Sequence, residues 1–247
     1  MRASMTVTLA ALLASCATPA AAQTWTERGY VSVNGAFQAT TNDFNDRFEF
    51  EKDLETGTTD VDYRVKGGVV FDAGGGVRLW KSLGAGVAVS YFTRKDPAAT
   101  STRSPHPFFM NQFRDVTGDT TDLTRTETAV HVQAMYFFNP SGPLRVVFSG
   151  GPSFFNVEQQ LVSTVVLTEA YPFDTADFSS ARSEKVKKTA PAFNVGADVM
   201  WMLSRSIGVG GILRFSRASI DLGAANSRTV SVDAGGFYAG GGLRVVF

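Results

Sequence analysis

The chain of 247 residues holds one cysteine, Cys16, and two histidines, His106 and His131. So few thiols and imidazoles exclude an intrachain disulfide framework and any Cys/His-rich metal site. Basic and acidic residues balance at 23 each, so no excess of either sign points to nucleic acid or to a strongly acidic partner. No stretch approaches the roughly 18 continuous apolar residues of a transmembrane helix, which leaves strands as the only route across a bilayer. A Gly-x-Ser-x-Gly nucleophile elbow is absent.

The amino terminus has the layout of a secretory signal: Arg2, a short apolar core over 5–14, and Ala20-Ala21-Ala22 as a small-residue cleavage site. The expected organisation is a signal peptide over 1–22 and one domain over 23–247, which would leave the mature chain without a thiol. Leu13-Ala14-Ser15-Cys16 also fits a lipobox, with Cys16 as the acylated residue, so both readings stand.

From Glu27 onward apolar residues recur at every second position, the period of a strand. Eight segments follow this rule: 27–40, 61–80, 84–94, 124–138, 144–160, 187–203, 207–221 and 229–247. Most reach the nine to eleven residues, or about that number, that a tilted membrane strand needs. Turn sequences at 81–83, 139–143 and 204–206 alternate with longer connections at 41–60, 95–123, 161–186 and 222–228. Short turns on one side and long loops on the other mark a transmembrane barrel, with both termini and the tight turns on the periplasmic side.

The faces agree. Phe237, Ala239, Leu243, Val245 and Phe247 share one side of the last segment, opposite Tyr238 and Arg244. Val130, Val132, Tyr136 and Phe138 oppose Glu127, His131 and Gln133 in the same way. The apolar side is expected to face lipid and the polar side a narrow, packed interior, with Gly74-Gly75-Gly76 as thin wall. Tyr30, Trp80, Tyr91, Tyr136, Trp201 and Phe247 are candidates for interfacial girdles.

The opening Gly29-Tyr30-Val31-Ser32-Val33-Asn34-Gly35-Ala36-Phe37 resembles the first strand of the small eight-stranded outer-membrane barrels, of the OmpA transmembrane-domain and OmpX type. The closing Leu243-Arg244-Val245-Val246-Phe247 resembles the terminal signal read by the barrel-assembly machinery, with Leu243, Val245 and Phe247 as its alternate apolar positions and final aromatic. The resemblance covers 27–247. It implies an all-β, antiparallel up-and-down barrel of eight strands in the outer membrane of a Gram-negative envelope. Its partners would be the surrounding lipid, the secretion and assembly machinery during biogenesis, and an extracellular ligand at the loops. The periplasmic peptidoglycan-binding domain of full-length OmpA proteins has no counterpart here, so no cell-wall tether is expected.

Neither catalysis nor a cofactor is expected. The anticipated role is structural or surface interaction through long loops, with a narrow porin-like channel or solute carrier second and a lipid-modifying enzyme third. Asp72, Arg78, Glu127, His131, Arg145, Asp198, Arg214 and Arg244 are assigned to an interior polar network, because buried charges require partners. The expected plug pairs Asp72, Glu127 and Asp198 with Arg78, Arg145 and Arg214. His131 and Glu127, four residues apart, are the one candidate acid–base pair, read as structural. His106, in Ser104-Pro105-His106-Pro107, is read as a solvated loop histidine. The acidic stretch at 41–62 carries Phe44, Phe48 and Phe50 but no EF-hand spacing. It reads either as a cation- or ligand-binding surface or as strands 1 and 2 extending beyond the membrane, with these phenylalanines packing above it. Aromatics in it, at Phe108-Phe109 and at Tyr171-Pro172-Phe173, are candidate adhesion points.

Overall fold

Period-two alternation produces strands throughout, and the computed structural model contains no helix among the described residues, 28–140, 142–224 and 228–247. The signal peptide expected at 1–22, with Cys16, lies outside them. Twelve strands form: β1 (Gly29–Gln38), β2 (Asn42–Lys52), β3 (Glu55–Val65), β4 (Gly68–Trp80), β5 (Leu83–Asp96), β6 (Ala98–Pro105), β7 (Phe113–Asp119), β8 (Leu123–Phe138), β9 (Leu144–Glu169), β10 (Ala176–Met202), β11 (Ile207–Gly223) and β12 (Thr229–Val246).

Eight of them close an antiparallel barrel in the order β1-β12-β11-β10-β9-β8-β5-β4. All eight expected segments supply a barrel strand. The seam between first and last strand runs unbroken from Tyr30↔Val246 to Gln38↔Tyr238. Phe247 finishes it: its carbonyl accepts from the amides of Arg28 (2.6 Å) and Gly29 (3.0 Å), and its own amide donates to Gly29 (3.0 Å).

The long connections differ from expectation. The stretches 41–60 and 95–123 are not open loops but β-hairpins, which join as a second sheet in the order β2-β3-β6-β7. The expected segment 61–80 is therefore two strands, because the chain leaves β3 at Lys66-Gly67 and enters the barrel wall at β4. The stretch 161–186 is likewise mostly strand, continuing β9 and β10 far above the other staves. A hairpin with one apolar face cannot stand alone in water. Here each buries that face against its neighbours.

Burial divides the barrel into two zones of opposite polarity. In the lower zone the outward side chains are apolar and uncovered, with Val33 61 %, Phe71 64 % and Leu243 63 % exposed, while inward Arg244 and His131 are fully buried. Above it the outward positions turn polar, as Arg217, Ser219 and Asp221 on β11, and the inward ones turn apolar, as Ala218, Ile220 and Leu222. The lower zone is solvated by lipid and the upper by water. On β12 the apolar side runs from Phe247 to Phe237, ten steps that at about 3.3 Å each and a tilt of ~40° span roughly 25 Å, a bilayer's apolar band.

Aromatics mark both edges of that band. Trp80, Tyr136, Phe138, Trp201 and Phe247 face outward near the periplasmic rim, and Phe37, Phe71, Tyr91, Phe154, Phe193 and Phe237 near the outer one. Tyr30 is a correction. It points inward at 5 % exposure and meets Phe137 edge-on, with ring centroids 6.3 Å apart.

Candidate functional site

Inward positions of the lower zone carry the polar network, and register decides its pairings. Asp72 on β4 accepts from Asn34 (3.1 Å), from the Tyr238 hydroxyl (2.9 Å) and from Arg214 of β11. Arg244 holds Asp198 through Nε–Oδ1 and Nη2–Oδ2, both 2.9 Å. Glu127 accepts from Arg125 Nε (2.7 Å) and from the amide of Gly235 (2.9 Å), and Arg125 also donates to the carbonyl of Asp233. Gly235 adopts φ +81°, a conformation that favours glycine. Thus β8 braces β12 across the lumen.

The expected pairings with Arg78 and Arg145 do not form. Arg145 Nη1 instead donates to Asn139 Oδ1 (2.9 Å) and the carbonyl of Gly142 (2.7 Å), tying down the periplasmic turn. Arg78 sits half-buried at that same end, below the level of Glu127 and Asp198. Arg125 and Arg244 take the expected places, Arg125 because it is two residues from Glu127 on the same inward face of β8 and Arg244 because β12 sets it level with Asp198 of β10. Arg125 was legible in the alternation, two residues from Glu127 on the inward face, and was missed.

His131 does not meet Glu127. Its Nε2 lies 3.0 Å from Ser90 Oγ and its Nδ1 2.7 Å from Ser153 Oγ. From Ser153 the chain of bonds continues through Asn194 (2.8 Å) to Gln133 (2.8 Å) and Ser149 (3.1 Å). Two apolar layers bound this polar section. Tyr30, Met135, Phe137, Val147, Met200 and Val246 pack together below it. A larger cluster above includes Phe48, Val61, Tyr63, Phe155, Leu161, Ile220, Leu222 and Val232. It joins the second sheet to the inner faces of the tall staves. Two cavities within the packed interior measure about 10 Å³ each, room for about one water.

Three acids of the acidic stretch are held in ion pairs: Asp43–Arg64 (3.2 Å), Asp60–Arg47 (2.8 Å) and Asp46–Arg228 (2.8 Å). Burial raises the Asp46 carboxyl above its ordinary range, against the opposing pull of Arg228. Phe48 is core, under the Arg228 guanidinium at 4.7 Å, and Phe44 stacks on Tyr63 at 4.5 Å. Among the described residues no group of three or more His, Cys, Asp or Glu is arranged to hold a metal.

The upper end carries what the alternation did not reveal. The turns β2–β3, β6–β7 and β9–β10 meet there. Glu55 accepts the amide of Asn111 (2.8 Å), joining the first two. Phe108 meets Phe173 edge-on at 5.4 Å, joining the second and third. Beneath them Arg114 donates to Glu169 (2.7 Å) and to the carbonyl of Phe173 (3.1 Å), and Lys52 also reaches Glu169. Burial pushes the Glu169 carboxyl up, but the bonds and charges of Lys52 and Arg114 outweigh it and hold it below the ordinary glutamate range. His106 is no solvated histidine: it is 4 % exposed, accepts the amide of Phe108 at Nδ1 (3.1 Å) and packs on Phe109 at 4.9 Å.

On this base stands an apolar crown open to water: Leu54 (95 % exposed), Tyr171 (85 %), Met110 (70 %), Phe108 (66 %) and Phe109. Asp53 and Leu54 form a two-residue hairpin turn with φ +53° and +67°. That is the geometry Asn-Gly ordinarily occupies, and left-handed backbone costs other residues roughly 1–2 kcal/mol. The signal was present in the sequence, a lone leucine between Asp53 and Glu55 in an otherwise polar turn.

Taken together, the closed ring, the lipid-facing band and the short periplasmic turns define a small eight-stranded outer-membrane β-barrel, with its tall hairpins outside the cell. No family model and no curated protein matches the chain. Among solved structures it is similar to Neisserial surface protein A, at 12 % identity over 89 % of this chain and 97 % of that one, with a TM-score of 0.43. It is also similar to the outer membrane protease OmpT from Escherichia coli, at 7 % identity over 88 % and 97 %, TM-score 0.49. A third is Ail, the attachment invasion locus protein of Yersinia pestis, in complex with the heparin analogue sucrose octasulfate, at 13 % identity over 88 % and 99 %, TM-score 0.35.

Proposed function

We propose that the protein is a non-catalytic surface-interaction protein, in which a sealed barrel anchors a rigid extracellular platform. The observation that carries this reading is the apolar crown at the junction of three cross-tied hairpins. Exposed apolar patches of this kind mark interaction sites. The hairpins below are held by ion pairs and a shared core, so little ordering remains to be done on binding.

The packed lumen supports an anchoring role over transport, since its polar section is cross-bonded and lies between two apolar layers. Narrow eight-stranded barrels are in general filled by side chains. The only candidate acid–base histidine of the lumen, His131, is bonded to two serines and faces away from lipid, which speaks against chemistry on membrane lipid. Planar-bilayer recording of the purified barrel tests the reading, with no steady single-channel conductance expected. Large, steady steps would replace it with the channel reading, and altered lipid A in mass spectra of producing cells would replace it with an enzyme.

A further inference from the structure

Resting on that reading, we infer that the crown takes a cationic protein segment with apolar anchors. The crown lies well away from the protein's own bilayer: from Phe154 at the upper girdle, β9 climbs fifteen more residues to Glu169, roughly 40 Å after tilt. Its uncovered apolar side chains are therefore not accounted for by the surrounding membrane. Leu54 concentrates the point, being both exposed and held in left-handed backbone. Strain of this kind persists where the surroundings impose it and clusters at functional sites.

Charge selects the partner. Glu51, Asp53, Asp115, Asp174 and Asp177 are exposed around the crown. The nearby cations are engaged: Lys52 and Arg114 converge on Glu169, and Arg103 lies 4.5 Å over the ring of Phe113. A negative rim about an apolar centre attracts a segment carrying Lys or Arg beside aromatic or aliphatic residues. The same rim repels anionic bilayers and sulfated or phosphorylated polymers.

The test uses the full protein in zwitterionic lipid nanodiscs and, as probe, a displayed library of random twelve-residue peptides. A parallel selection uses the variant Leu54→Gly/Phe108→Ser/Tyr171→Ser, with heat-modifiable gel mobility checking that its barrel is folded. Glycine suits the backbone at 54, and Leu54→Gly alone serves as the second variant. The inference expects enriched peptides with net positive charge and at least one large apolar residue. Their recovery should fall at least tenfold on either variant and weaken as salt rises. Enrichment of neutral or acidic peptides at the crown would overturn the partner class. So would co-flotation of lipid vesicles with the native protein but not the variants; either result leaves the interaction-surface reading standing. Equal recovery of every probe on native and variant protein would overturn both.

Discussion

Arg244 of β12 reaches past β11 to Asp198 of β10 and grips it with two parallel bonds of 2.9 Å, both residues buried in the lumen. A pair so enclosed is held together by the cost of leaving either charge alone. Asp198→Asn should destabilise the barrel by about 3–5 kcal/mol, because Arg244 remains buried without its counter-charge. The double variant Asp198→Leu/Arg244→Met should recover most of that loss. Urea unfolding in lipid, followed by gel mobility, measures both; equal loss in the single and double variants would show that the pair is not coupled.

On the β1–β12 seam, two glycines differ in the room they leave for a side chain. A Cβ at Gly242 would collide with the carbonyl oxygen of Val33, whereas one at Gly35 meets nothing within 4 Å. Gly242→Val should therefore block closure and give little folded barrel, while Gly35→Ala should fold at wild-type yield. Backbone has nowhere to move in a closed ring, and the lipid side does. The heat-modifiable fraction in purified outer membranes reports each.

Phe247 completes the seam through three backbone bonds, and by resemblance it is expected to be the final aromatic of an assembly signal. Deleting it should lower the yield of assembled barrel in cells severalfold. Refolding of purified chain into lipid should suffer less, since most of the Tyr30–Gln38 register remains. Comparison of cellular and refolded yields separates recognition by the assembly machinery from seam stability.

Acid should loosen the crown. Glu169 titrates below its ordinary range in the folded protein, so its contribution is complete above the unfolded glutamate value and is lost as pH falls through the folded one. Lys52 and Arg114 remain charged throughout, and acidification leaves them without their anion. Limited proteolysis at the Phe108–Asn111 turn should be slow near neutrality and accelerate below about pH 4.5. Glu169→Gln should show fast cleavage already at neutral pH, about tenfold above wild type, because charge-assisted bonds contribute about 1.5–3 kcal/mol. A cleavage rate in wild type that is flat with pH would sink the clamp.

The barrel was legible because each lipid-facing stave must alternate, and alternation is a property of neighbouring residues. Strand segments such as 124–138 and 207–221 could be read from their own residues alone. The second sheet was not, because β2, β3, β6 and β7 bury one face against partners distant in the chain. Their short alternating runs, rich in Asp, Glu, Thr and Ser, read as loop. His106 shows a related limit: the fold of its turn sets its ring on Phe109, and Asp174, distant in the chain, stands 3.8 Å from its Nε2.

By itself, then, the sequence determined the eight staves, their sidedness, the lipid-facing band and, Tyr30 apart, which of the residues singled out on them point inward, all consequences of a period of two acting on adjacent residues. Tertiary structure alone decided which inward charges meet across strands. Asp72 found Arg214 and Asp198 found Arg244, because stagger around a closed ring sets which residues of different strands stand level. It alone also brought Leu54, Met110, Phe108 and Tyr171 to one crown, since three hairpins far apart in the chain must pack together to bury their apolar faces.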